Sequence, residues 1–169
     1  MVIGKKHNYA GMELDYSSPG EVIVSMDSYI TEAIDGFLEE MTQKIQMLEG
    51  NHFFKVDDTC AKLFERNKII FHRLVEKLIF LRKHVRPNIH PKIALLTTRL
   101  RNPDEDDWKN IRRVLSYLNA RINSIKLHLN ADNLNVVHWW VDASYGTHPD
   151  LKGQKHLTVS IGEGCVTSA

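Results

Sequence analysis

Hydrophobic residues follow three different rhythms along this chain. Between Tyr9 and Tyr16, Met12, Leu14 and Tyr16 alternate with Glu13 and Asp15, the period of two that a half-buried strand imposes because successive side chains leave opposite faces. Ser17-Ser18-Pro19-Gly20 supplies turn residues, and the β-rich run Glu21-Val22-Ile23-Val24-Ser25 returns. The pattern predicts an antiparallel hairpin over residues 8–25. The period then lengthens: Ile30, Ala33, Ile34, Phe37, Leu38 and Met41 recur at steps of one to four and form one apolar stripe. A helix is predicted over 27–41, capped by Ser25 or Asp27. Residues 42–58 lose periodicity and hold Gly50, Asn51 and Asp57-Asp58, which predicts a long loop.

Phe71, Leu74, Val75, Leu78, Ile79 and Leu81 predict a helix over 59–83, with Asn67 a candidate break, and Arg86-Pro87 ends it because the residue before proline avoids the α region. Ile93, Leu96 and Leu100 predict a second helix over 90–101. Pro103 and the acidic run Asp104 to Asp107 open a third, since acidic residues in a first turn complement the helix dipole. It carries Trp108, Ile111, Val114, Leu115 and Leu118 on one side and Lys109, Arg112 and Arg113 on others. Past Asn119 the period of two resumes in Ile125, Leu127 and Leu129. Strands are predicted at 136–143 and 157–161 and again from Cys165-Val166, with a polar turn at 131–135. The fold class is therefore α+β, with a boundary near 120–130.

The chain has 169 residues, 43% hydrophobic and 25% charged, with a net charge of +1. That composition suits a folded globular protein and excludes wholesale disorder. It argues against a strongly basic nucleic-acid module, though local patches still bind phosphates in a neutral protein. Cys60 and Cys165 form no CxxC unit and no disulfide framework, which favours a reducing compartment. No apolar run approaches the ~20 residues needed to span a bilayer, and no secretory leader is expected from Met1 to His7. An intracellular protein without membrane association is the expectation.

Few constellations carry chemistry. Asp142 follows the apolar run Val136 to Val141; by spacing alone it is either a solvated strand carboxylate or a polar site for a metal or proton. Nine histidines form no HExxH unit, and only His128 and His138 are placed to meet across a hairpin. Arg82, Lys83, Arg86, Lys92, Arg99, Arg101, Arg112, Arg113 and Arg121 concentrate basic charge in the helical middle. That charge either meets a phosphate backbone or forms a solvated face balanced by Asp104 to Asp107.

The ordered set of segments resembles a known family. Tyr9-Ala10-Gly11-Met12-Glu13-Leu14-Asp15, Met26-Asp27-Ser28-Tyr29-Ile30, Phe71 to Leu81, Arg86-Pro87-Asn88-Ile89, Pro103 to Trp108, Arg113 to Leu118 and Val141-Asp142-Ala143-Ser144-Tyr145-Gly146 together resemble copia-like retrotransposon polyproteins. The matching stretch spans the end of the reverse transcriptase and the start of its ribonuclease H domain. The resemblance implies three parts: residues 1–25 a primer-grip-like hairpin of the reverse transcriptase palm, 26–121 a helical thumb and connection, and 122–169 the first antiparallel strands of a truncated ribonuclease H-like sheet.

Site roles follow from the same resemblance. Tyr9, Gly11 and Met12 correspond to the primer grip and Asp142 matches the first metal-binding carboxylate of ribonuclease H, while Arg112 and Arg113 are candidates for nucleic-acid contact from the basic charge of the helical middle. The parent family uses Mg²⁺, two ions some ~3.5–4 Å apart held by several carboxylates; with Asp142 alone, none is expected to bind tightly. The paired polymerase aspartates and the next ribonuclease H carboxylate are expected outside these 169 residues, so the parent activity, RNA-directed DNA polymerase and ribonuclease H, is expected to be missing from the chain by itself. The implied partners are an RNA–DNA hybrid or DNA and other parts of the polyprotein. The alternative is a non-enzymatic nucleic-acid-binding or protein-interaction remnant.

Overall fold

In the computed structural model, which describes residues 4–39, 41, 45–48, 59–130, 136–144, 153–160, 162 and 165–168, the first alternating segment is folded back on itself. Ala10 and Gly11 have φ of 50° and 79°, the left-handed pair that matches strand twist in a two-residue hairpin turn. Strand β1 (Lys6–Tyr9) therefore pairs antiparallel with β2 (Met12–Asp15), Tyr9 opposite Met12. The single strand expected over 9–16 is two strands and a turn. After the turn, the Asp15 side chain accepts from the Ser17 backbone N–H at 2.9 Å, and β3 (Glu21–Ser25) pairs with β2.

Helix α1 (Asp27–Asp35) is shorter than its apolar stripe suggested, and Met26 stands at its cap position with no side-chain capping bond. The backbone leaves the helix at Gly36, and Leu38 takes a φ of 62°. Phe37 is nevertheless fully buried. Helix α2 (Glu65–His84) runs uninterrupted through Asn67. It begins later than predicted because residues 61–63 lie extended against the start of the last helix: Leu63 N–H donates to the Pro103 carbonyl at 3.1 Å, and Glu105 N–H to the Ala61 carbonyl at 3.0 Å. A 3₁₀ turn (Pro87–Ile89) leads into α3 (His90–Arg99), and α4 (Glu105–Ala120) follows.

Strand β4 (Leu127–Asn130) pairs antiparallel with β3, giving a four-stranded sheet in the order β1-β2-β3-β4. The residues set apart as 122–169 are thus divided, since their first strand belongs to the sheet of the hairpin. Strands β5 (His138–Ser144), β6 (Gln154–Ser160) and β7 (Cys165–Ser168) form a separate antiparallel sheet in that order. The loop expected over 42–58 and the turn over 131–135 lie largely outside the described residues.

One core joins the first sheet to the helices. Val24 and Met26 from the sheet side are buried together with Ile30, Phe71, Leu78, Leu96, Ile111 and Leu115. Each such side chain contributes about 1.5–3 kcal/mol on leaving water, so the hairpin and the helices stabilise one another. The second sheet is placed by β7, which lies against α2 and β4. Its outer strand β5 remains exposed. The architecture is mixed α+β with antiparallel sheets, and no described helix is long and apolar enough to cross a membrane.

Candidate functional site

The β1–β2 turn presents the first group of candidate residues. Met12 packs against the core, and a β-carbon placed on Gly11 would meet Tyr29 at 3.4 Å and Met26 at 3.8 Å. The turn is therefore seated on the start of α1 through Gly11 and Met12, while Tyr9 projects outward, 69% exposed. A larger residue at Gly11 meets both an unfavourable φ and the Tyr29 ring. An exposed ring on a fixed turn is suited to stacking on a nucleotide base or to van der Waals contact with a sugar.

Helix α4 carries the second group, and its start is built by an acidic network. Asp104 caps the helix, its side chain accepting from the Asp106 and Asp107 N–H groups at 3.1 Å each, while Asp107 accepts from the Asp104 N–H at 3.1 Å. Arg99 ties the two together, donating to Asp104 at 2.6 Å and to Asp107 at 3.1 Å. Burial pushes the Asp107 carboxyl up from its ordinary range. Burial works against the Arg99 charge, but the two carboxylates outweigh it and hold Arg99 more firmly protonated than usual. The acidic run at the helix start is thus partly an internal ion-pair network and not simply a solvated counterweight to basic residues.

Further along α4 the arginines are committed within the chain. Arg112 pairs with Glu39, which also accepts from the Trp108 indole N–H at 2.7 Å. Arg113 donates to the carbonyls of Leu48 at 3.1 Å and Met47 at 3.2 Å, and Arg121 to that of Gln46 at 3.1 Å. Arg112 and Arg113 therefore help clasp the segment that follows α1 onto α4. Spacing could not show this, because the partners lie 65 to 75 residues away.

Two cations counted in the basic helical middle, Arg86 and Lys92, are buried and offer no charge to a phosphate backbone. Arg86 is wholly buried, its Nε donating to Asn88 Oδ1 at 3.3 Å and its guanidinium 5.8 Å from the Tyr117 ring, and burial lowers its pKa. Its position before Pro87 at the end of α2 was the available signal. Lys92 on α3 is also buried; burial first, and then the charge of Arg113, brings its ammonium down to about 8.

Asp142 lies in the other sheet. It sits within β5, opposite His156 in the register, and is exposed. No group of three His, Cys, Asp or Glu side chains capable of holding a metal occurs among the described residues. One exposed carboxylate does not fit a two-metal centre, so no Mg²⁺-dependent step is derived for these residues. His128 and His138 do not meet across a hairpin: His128 is on β4, opposite Ile23 and 2.5 Å from Glu21, while His138 is on β5 opposite Ser160. The candidate residues thus occupy three places: the β1–β2 turn, α4 and the second sheet.

No family model matches the chain, and no solved structure matches it. Among curated proteins it is similar to a transposon Ty5-1 protein of Saccharomyces cerevisiae, with 26% identity over 149 residues, 88% of this chain and 47% of that protein. The chain spans about half the length of the curated relative it matches. That likeness supports a transposon-derived protein.

Proposed function

We propose that this chain is part of a copia-type reverse transcriptase and ribonuclease H from a transposable element, inactive by itself in both reactions. The observation that carries the reading is that family-like segments from Tyr9 to Gly146 occur in order, within a chain 88% of which aligns with a transposon protein. In this reading the Tyr9 to Met12 turn is the primer-grip-like element, α1 to α4 are the thumb and connection, and β5 to β7 begin a ribonuclease H-like sheet. The outward Tyr9 ring and the buttressed Gly11 suit a turn that holds a nucleic-acid strand by shape and backbone. Asp142 is the first carboxylate of an incomplete metal site.

The test is binding of the purified chain to an RNA–DNA hybrid across salt. Three phosphate contacts predict a loss of affinity of ~40-fold between ~50 and ~200 mM salt, and Tyr9→Ala should weaken binding about tenfold if the ring stacks. No binding at low salt, or a flat salt response, removes the nucleic-acid role of the turn, and detectable primer extension or hybrid cleavage by the purified chain overturns the reading of an inactive part. A protein-interaction role has one observation of its own, the exposed Trp139, Trp140 and Val141 of β5.

A further inference from the structure

We propose that a cavity between α1 and α2 binds a small zwitterion, a free amino acid with an apolar side chain, its carboxylate on Arg73 and its ammonium on Asp35. The cavity holds about 310 Å³, at the lower end of the ~300–1,000 Å³ of small-molecule sites. Ile70 and Leu74 of α2 form its apolar part, and Leu74 is anchored in the core. Four charged side chains stand around it, and two of them satisfy each other: Lys77 donates to Glu32 at 2.5 Å. The other two, Arg73 on α2 and Asp35 on α1, make no hydrogen bond or ion pair among the described residues, whether with each other or elsewhere.

The two unpaired charges call for opposite groups. Asp35 is the last residue of α1, where the helix dipole presents its negative end and favours a cation. No basic residue stands in the last turn of α1, so the carboxylate and the helix end add their negative potentials at one wall. A local rule broken without internal compensation is the mark of a place shaped by binding more than by folding. Gly36 keeps that wall open: a β-carbon on it would lie 3.4 and 3.5 Å from the Glu32 and Ala33 carbonyl oxygens. An ammonium group suits this wall, while the planar fork of Arg73 matches a carboxylate through two parallel hydrogen bonds. A phosphate would also pair with Arg73, but Lys77, one turn further along α2, is already held by Glu32, and two carboxylates and a helix C-terminus repel a polyanion. Carboxylate, ammonium and an apolar branch together are the constitution of an amino acid such as leucine, whose side chain then meets Ile70 and Leu74.

Titration of the isotope-labelled full chain with L-leucine, followed by amide NMR, is the test. Signals of Asp35, Gly36 and residues 70–77 should move and saturate with a dissociation constant on the order of a millimolar, the range of a small ligand in an open site. Arg73→Gln and Asp35→Asn, both at exposed positions, should each weaken leucine about tenfold. Leucinamide, which lacks the carboxylate, and N-acetyl-leucine, which lacks the ammonium, should each bind the wild-type chain about tenfold more weakly than leucine. Far-UV circular dichroism of both variants establishes that the fold is intact. The proposal is overturned if these amides stay still at leucine concentrations well above millimolar, if either substitution leaves the affinity unchanged, if either analogue binds as well as leucine, or if inorganic phosphate displaces leucine from the cavity.

Discussion

Replacing Asp104 by Ala removes a cap and an ion-pair partner together, and the two parts can be separated. The cap bonds to the Asp106 and Asp107 N–H groups are worth about 1 kcal/mol, the usual cost of losing a good N-cap. Arg99 keeps Asp107 but loses its 2.6 Å contact with the buried Asp104, a charge-assisted hydrogen bond worth about 1–2 kcal/mol. The Lys62 contact at 3.5 Å has one exposed partner and adds little. Asp104→Ala should therefore cost about 2–3 kcal/mol, a fall in Tm of roughly 5–10 °C for a chain of this size. Asp104→Asn keeps an oxygen for the cap and loses only the charge, so it should cost about 1 kcal/mol. Urea unfolding followed by far-UV circular dichroism measures both. An Ala variant within about 0.5 kcal/mol of wild type, inside the range of an ordinary surface substitution, would refute the reasoning. An Asn variant as damaged as Ala would refute the division between cap and charge.

Two further predictions concern charge. Lys92 titrates near 8 when folded and near ~10.4 when unfolded, so between these values the unfolded chain binds more protons and stability rises with pH. Lys92→Met should be the more stable form at pH 7, and its lead should shrink by on the order of 1–2 kcal/mol through this window; parallel stability curves for the two proteins would remove Lys92 as the cause. Mg²⁺ should move amide NMR signals around Asp142 only at concentrations on the order of millimolar, because the ion dehydrates reluctantly and one carboxylate is a poor cage. Asp142→Asn should abolish that movement, and saturation at micromolar Mg²⁺ would mean that other residues complete a site.

The helices were legible in the sequence to the extent that their apolar stripes report packing. Helices α3 and α4, and α2 apart from its late start at Glu65, lie close to their predicted ranges because Leu74, Leu78, Ile93 and Ile111 meet in one core. The same signal overextended α1: Phe37 reaches that core, but from backbone that has already left the helix. Periodicity records which side chains are buried, not how the chain delivers them. The turn at Ala10-Gly11 was hidden for a different reason, since alanine is not a left-handed residue by habit and only Gly11 marked the reversal. The alternation of Leu127 and Leu129 announced a strand, but alternation carries no information about which sheet receives it, and β4 joined β3. Among candidate sites, the sequence identified residue types and could not reveal their distant acceptors. Arg112 and Arg113 resemble a phosphate-binding pair until Glu39, Met47 and Leu48 are brought to them.

Those contacts set a condition on nucleic-acid binding at α4. A phosphate that recruits Arg112 or Arg113 must displace a carboxylate or backbone carbonyls, and although a charge-assisted bond to phosphate is roughly twice as strong as a neutral one, the exchange also frees the segment at 46–48. Leu48 is buried in the core, and Ile45 packs against it, so that release exposes apolar surface as well as backbone. Binding at α4 is therefore coupled to opening of the clasp. The β1–β2 turn faces no such condition: Tyr9 is exposed, and Gly11 and Met12 are held from behind by α1 and the core. In the proposed nucleic-acid role the turn is therefore better placed than the α4 arginines to make first contact with a strand, and a hybrid that binds at the turn should leave the Arg113 contacts with Met47 and Leu48 in place.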